Sequence, residues 1–250
     1  MKRIACAVVA AALLAPATVA AQAEMEIPPE FMEVIQKDVA TLRMDVMQST
    51  IQLKAGEAAT FWAIYEEYLA ALAEASQKLS IGNGLENPAV DLGPMLNQAG
   101  IDKATSHIED ALEKGARLLC GGKHPEGPEY QTKLYYQPTA LADCTLDMLV
   151  MRDETFGPVV GIAPFQDVED AIRLANSTDF GLVSYAYTSS LANARALSRG
   201  IKSGTVCINN IVGSTLEAPY PGWKHSGMGL ELSRHALDEY LLVKHVRIEI

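Results

Sequence analysis

Asp153-Glu154-Thr155-Phe156-Gly157-Pro158-Val159 is the stretch on which the reading of this chain turns, joined downstream by Pro219-Tyr220-Pro221-Gly222-Trp223-Lys224-His225-Ser226-Gly227. By itself, an acidic pair ahead of Phe-Gly-Pro reads as a solvated turn, since carboxylates seek water and Gly-Pro interrupts regular structure. Outward from that turn the chain alternates. Val159 to Pro164 is a short apolar strand and Val168 to Ala175 a helix; Leu182 to Thr188 is a strand, Leu191 to Arg199 a helix and Gly204 to Asn209 a strand. Upstream, Asn97 to Gly115 has helical period and ends at a glycine suited to the position just past a helix, and Tyr135 to Leu141 is extended. This alternation predicts a mostly parallel sheet covered by helices. The tail, Glu239 to Ile250, alternates Tyr240, Leu242, Lys244, Val246 and Ile248 and is expected to be an edge strand.

Residues 28–78 have a different character, free of proline after the first two positions and with Gly56 the only glycine. Phe31, Val34, Ile35, Val39, Leu42 and Val46 recur at helical spacing, as do Phe61, Ile64, Tyr65, Tyr68 and Leu72. Lys54-Ala55-Gly56 falls between the two runs as a turn, so a helical hairpin is expected, with the second stripe packed on Phe31, Ile35, Val39 and Leu42. Leu53 to Tyr65 faintly resembles the repeats of small periplasmic helical proteins. Ile81 to Pro88 is loop chemistry, and the boundary between the two regions is placed near Leu79.

Lys2 and Arg3 precede an apolar, Ala-rich run from Ile4 to Leu14, and Ala21-Gln22-Ala23 offers small residues ahead of a cleavage point. That is the layout of a secretory signal over residues 1–23, and the run is too short to span a bilayer. It implies a periplasmic or secreted protein. Cys120, Cys144 and Cys207 would remain after cleavage, an odd and widely spaced set that is no disulfide framework. They read as reduced, buried thiols, at odds with export. A net charge of −11 provides no basic face for nucleic acid and disfavours an anionic membrane surface. The five histidines are scattered without metal-ligand spacing, and zinc is not expected.

From Leu79 to Ile250 the ordered series of motifs resembles the C-terminal part of the NAD(P)-dependent aldehyde dehydrogenase superfamily. The series includes Asp91-Leu92-Gly93-Pro94-Met95, Ala111 to Gly122, Tyr136-Gln137-Pro138-Thr139, Ala175 to Leu182 and Gly204 to Asn209, besides the two opening stretches. The resemblance implies an α/β fold, namely a partial catalytic domain, and aldehyde oxidation with NAD or NADP. It gives Glu154 the nicotinamide ribose hydroxyls, which a carboxylate accepts from in pairs, and places Phe156 beside the nicotinamide ring. Val212, Ser214 and Tyr220 match positions lining the aldehyde pocket, and Ser214-Thr215 is similar to members acting on semialdehydes. Pro221 stands where the family usually has glycine. Lys224, Ser226 and Gly227 match a structural turn.

The same resemblance requires a nucleophilic cysteine, a glutamate base and a dinucleotide domain upstream. The upstream window has no cysteine, and no Gly-rich phosphate loop follows a strand. The chain therefore divides into a signal peptide (1–23), a helical hairpin (24–78) and a dehydrogenase part (79–250), and is expected to be inactive alone. Two alternatives stay open: a secreted helical binding or chaperone-like module, or a chance fusion of two gene pieces. The family norm is cytoplasmic. Expected partners are a small aldehyde and, through the tail strand, a second copy of the chain.

Overall fold

The computed structural model of the protein describes residues 55–250, with side chains from residue 61 onward. Its helices are α1 (Ala55–Gln77), α2 (Gln98–Glu113), α3 (Leu149–Arg152), α4 (Val168–Ala175) and α5 (Leu191–Gly200). The strands are β1 (Arg117–Cys120), β2 (Thr139–Ala142), β3 (Val159–Gly161), β4 (Phe180–Gly181), β5 (Val183–Ala186), β6 (Thr205–Ile208), β7 (Tyr220–Pro221), β8 (Trp223–Lys224) and β9 (Leu230–Glu231). The alternation expected from Asn97 to Asn209 is present. α2 begins on Asn97, whose side chain accepts from the Gly100 amide, and ends before Gly115 at φ 97°. α4 and α5 start in the same way on Asp167 and Ser190.

β2 is the pivot. All four of its residues are buried, the mark of a strand covered on both faces. It pairs antiparallel with β1 and parallel with β3. Ala140 and Ala142 face α1, where they meet Trp62, Tyr65 and Leu69 with Cys120 and Ile162. Leu141 points the other way, into a cluster with Ile101, Ile108 and Ala111 of α2, Tyr136, Cys144 and Met148. The period-two alternation of one short strand thus holds two helices on opposite faces of a sheet. Gly121, at φ 75°, follows β1 because a side chain there would meet the Pro138 carbonyl at 2.2 Å.

The second parallel pair, β5 with β6, is covered by α4 and α5 through Leu197, Ile201, Val168 and Ile172. The two parallel pairs do not merge. β4–β8 and β7–β9 are separate antiparallel ribbons, so four small sheets replace the single sheet expected.

Three further expectations are corrected. Ala55 and Gly56 are helical rather than a turn: one glycine costs a helix only about 1 kcal/mol, and no proline breaks the run up to Gln77. The second apolar stripe does not pack within its own half alone: it crosses residue 79 onto β1, β2 and Ile162. An arm of α1 with Trp62, Tyr65 and Leu69 on one face finds its complement in the alanines of β2; Phe31, Ile35, Val39 and Leu42 lie outside the described residues. The tail is no edge strand. A 3-10 helix, Arg234–Tyr240, runs into residues 241–250, which pair with no strand among the described residues and leave Leu242 and Val243 fully exposed. Alternation makes a strand only where a free sheet edge accepts the ladder.

Polar contacts reinforce the α1–sheet seam. Arg117 of β1 donates to both Glu66 carboxylate oxygens at 3.2 and 2.8 Å and, through Nε, to Asp143 at 3.2 Å. Tyr65 donates to the other Asp143 oxygen at 3.1 Å. Burial above all, with the Asp143 charge beside it, pushes the Tyr65 phenol far above its ordinary range. No helix among the described residues is long and apolar enough to cross a membrane.

Candidate functional site

Glu154 and Phe156 lie on the turn that leads from α3 into β3. Glu154 is exposed and takes part in no ion pair among the described residues. Phe156 is 86% exposed and adopts φ 51°, a left-handed conformation that costs a residue with a Cβ about 1–2 kcal/mol.

The residue between them is anchored. Thr155 Oγ1 lies 2.9 Å from Nδ1 of His107, which is only 4% exposed on the inner face of α2. Burial first, then the neighbouring Lys103, holds the His107 imidazole below its ordinary pKa, so it is neutral at pH 7. Farther along α2, Asp110 accepts from the Leu149 amide at 2.7 Å, capping the start of α3. A side chain at Gly157 would meet Met95 at 3.1 Å and Ala104 at 3.7 Å, so the turn runs close against the start and inner face of α2. One helix face thus fixes both ends of the α3 segment. His107 was unremarkable among scattered histidines; its spacing with Ala104, Ile108 and Ala111 is the sequence signal for a buried face.

Val212 and Ser214 occupy the loop after β6. Asn209, at φ 53°, sets its departure by accepting from the Thr188 amide and donating to the Thr188 carbonyl, each at 2.8 Å. Val212 is 55% exposed and Ser214 is exposed. Gly213 lets the loop pass the Tyr185 hydroxyl, which would lie 2.6 Å from a side chain there. Tyr220 is half-buried in β7, paired with Glu231 of β9. The carbonyl of its neighbour Pro221 would sit 1.7 Å from a Cβ on Gly204, so only glycine fits at the foot of β6. No hydrogen bond or ion pair among the described residues joins Glu154 or Phe156 to Val212, Ser214 or Tyr220. At the loop's far end Leu216, Glu217 and Pro219 line a cavity of about 520 Å3 with Arg234, His235 and Leu237.

Lys224 and Ser226 serve the fold. Lys224 donates to the carbonyls of Asn176 and Thr178, and Ser226 accepts from the Gly181 amide, all at 2.8–3.1 Å. The three cysteines among the described residues, Cys120, Cys144 and Cys207, are buried, each with its sulfur against a backbone carbonyl. Burial pushes the Cys144 thiol up to about 12. A buried thiol so hard to ionise is no nucleophile. No group of side chains among the described residues could hold a metal ion.

The chain belongs to the aldehyde dehydrogenase family, whose model matches residues 62–246. The match begins inside α1, at Trp62. Similar proteins include the mitochondrial succinate-semialdehyde dehydrogenase of Oryza sativa subsp. japonica, 41% identical over 184 residues, which are 73% of this chain and 34% of that protein. The NADP(+) succinate-semialdehyde dehydrogenase of Escherichia coli is 39% identical over 186 residues, or 74% of this chain and 37% of that one. Among solved structures, a lactaldehyde dehydrogenase superposes with TM-score 0.69 at 37% identity, covering 75% of this chain and 38% of the other. Betaine aldehyde dehydrogenase from Staphylococcus aureus, in complex with NAD+, gives TM-score 0.69 at 32% identity, covering 74% and 36%. The chain spans little more than a third of the length of these relatives.

Proposed function

We propose that this chain carries the nicotinamide-facing turn and part of the aldehyde pocket of an NAD(P)-dependent aldehyde dehydrogenase, without the groups that perform the chemistry. The observation that carries the reading is the turn itself, a free Glu154 carboxylate and an exposed Phe156 ring in a strained backbone tied to α2 through Thr155. These residues fit a nicotinamide nucleotide. Glu154 would accept from the paired ribose hydroxyls, and Phe156 would cover one side of the ring and lose its contact with water. When bound, that cofactor would supply the hydride acceptor. Val212, Ser214 and Tyr220 would line the approach of a small aldehyde, with the Ser214 hydroxyl suited to a polar far end such as a carboxylate. Two relatives that act on succinate semialdehyde favour that substrate class.

The chemistry needs a thiolate to attack the aldehyde and a base to activate water for the second half-reaction. Between Cys6 and Cys120 there is no cysteine, and the three later thiols are buried. This chain alone is therefore inactive. The test is NADH formation by purified protein given succinate semialdehyde and NAD or NADP: the expected trace matches the blank. Turnover that survives replacement of Cys120, Cys144 and Cys207 by serine refutes the mechanism, and turnover lost with one of them identifies a nucleophile.

Residues 1–23 act in this reading as an export signal and 24–78 as the helical segment that joins it to the dehydrogenase part. The burial of Trp62, Tyr65 and Leu69 against β2 disfavours an independent helical module. A junction between two gene pieces would instead lie upstream of Trp62, where the family match begins. Fusion of residues 1–23 to a reporter active only outside the cytoplasm tests the leader; a silent reporter refutes it. Self-association in this reading runs through the exposed tail.

A further inference from the structure

Thr155 sits between the two residues read as cofactor-facing, so whatever holds Thr155 sets where Glu154 and Phe156 point. His107 reaches it from α2 at 2.9 Å and is itself buried. This bond anchors the turn immediately before Phe156, whose backbone is in the left-handed region. The same helix face approaches Gly157 through Ala104 and caps α3 through Asp110, so His107 is the polar member of a continuous brace. We propose that His107 is a positioning residue: its bond to the Thr155 hydroxyl holds the 154–156 turn in the conformation that presents Glu154 and Phe156 to a nicotinamide nucleotide. The proposal rests on the reading of those two residues given above.

The bond forms with a neutral imidazole in a buried place. Lys103 and Asp110 face the ring from its own helix, and Arg152 and Asp153 from the α3 end. Both signs are present, so the dominant cost of charging the ring is desolvation rather than any one neighbour. Acid therefore acts on the brace. As pH falls below the ordinary imidazole range, protonation places a charge in that buried position and weakens the packing of the α2 face on the turn.

The experiment uses the full chain and amide hydrogen exchange, reported as protection over residues 152–158 and, as an internal control, over residues 62–70. Loss of one such hydrogen bond raises exchange roughly five- to tenfold. H107A and T155V are each expected to show that rise over 152–158 with residues 62–70 unchanged. H107N, whose amide reaches the position of Nδ1, restores the protection. In the wild-type chain protection over 152–158 falls as pH is lowered from 7 to 5, and in H107N it stays level. T155V keeps the proposal testable if H107A fails to fold. Unchanged protection in T155V, or a loss spread evenly over the chain in both variants, overturns it, as does a wild-type profile with no pH dependence.

Magnetisation transfer between nicotinamide mononucleotide and the Phe156 ring separates this proposal from the reading beneath it. Transfer in the wild-type chain that weakens in T155V supports both. If the wild-type chain gives none while the exchange results hold, the cofactor assignment of Glu154 and Phe156 fails and the brace stands as a device that orders the turn.

Discussion

Leu69→Ala measures how far α1 belongs to the dehydrogenase fold. Leu69 is 1% exposed, one of the largest fully buried side chains among the described residues, and it packs with Cys120, Ala140, Ala142 and Ile162. Its neighbours on β2 are already alanines, too short to swing into the space left behind. A cavity that collapses only in part puts the cost toward the upper part of the usual range, about 3–5 kcal/mol. With a slope of about 2 kcal/mol per molar urea, the midpoint falls by roughly 1.5–2.5 M. Trp62 is 6% exposed and touches the same cluster, whereas Trp223 is 47% exposed. In a Trp223→Phe background the fluorescence of Trp62 therefore reports the seam directly. Leu85→Ala is the control, since Leu85 is 97% exposed and its loss should cost under about 0.5 kcal/mol. If Leu69→Ala shifts the midpoint no more than Leu85→Ala does, α1 does not pack on β2 and the boundary near Leu79 returns.

Other outcomes follow from the same geometry. Arg117→Met breaks the bidentate contact to Glu66 and the bond to Asp143, but Arg117 is 39% exposed, so the loss should be about 1 kcal/mol and shrink in 1 M salt; a salt-independent loss of several kcal/mol would contradict a screened surface network. Tyr65 and Cys144 both fold neutral with raised pKa values, so their contribution is complete below about pH 9 and is lost as pH rises toward 12. Tyr65→Phe combined with Cys144→Ala should flatten that alkaline decline in a melting-temperature series, and an unchanged slope would locate the sensitivity elsewhere. Deleting residues 241–250, which expose Leu242, Val243 and Ile250, should reduce self-association in sedimentation velocity; an equal distribution of species would remove the tail as its cause. Native protein should resist alkylation at Cys120, Cys144 and Cys207, and rapid labelling of any one of these would refute its burial.

Much of the fold around the candidate site was legible in the chain before folding. The acidic pair before Phe-Gly-Pro, the glycine after α2 and the alternation from Asn97 to Asn209 depend on nearest neighbours: backbone freedom at glycine and proline, helix caps at Asn97, Asp167 and Ser190, and periodicity along a face. These signals are local, so order along the chain carried them. Partnership is another matter. The stripe on α1 announces that one face must be buried, yet a helix stripe fits another helix as well as it fits a sheet, and only the small side chains of β2, brought up from seventy residues away in sequence, decided which. The tail shows the converse: its alternation is real, but a strand is a relation between two chains of atoms, and the described fold gives it no free edge. His107 is the subtlest case. Nothing in its neighbours marks it out; its meaning comes from Thr155, forty-eight positions later, arriving at 2.9 Å once α2 and the turn are packed together.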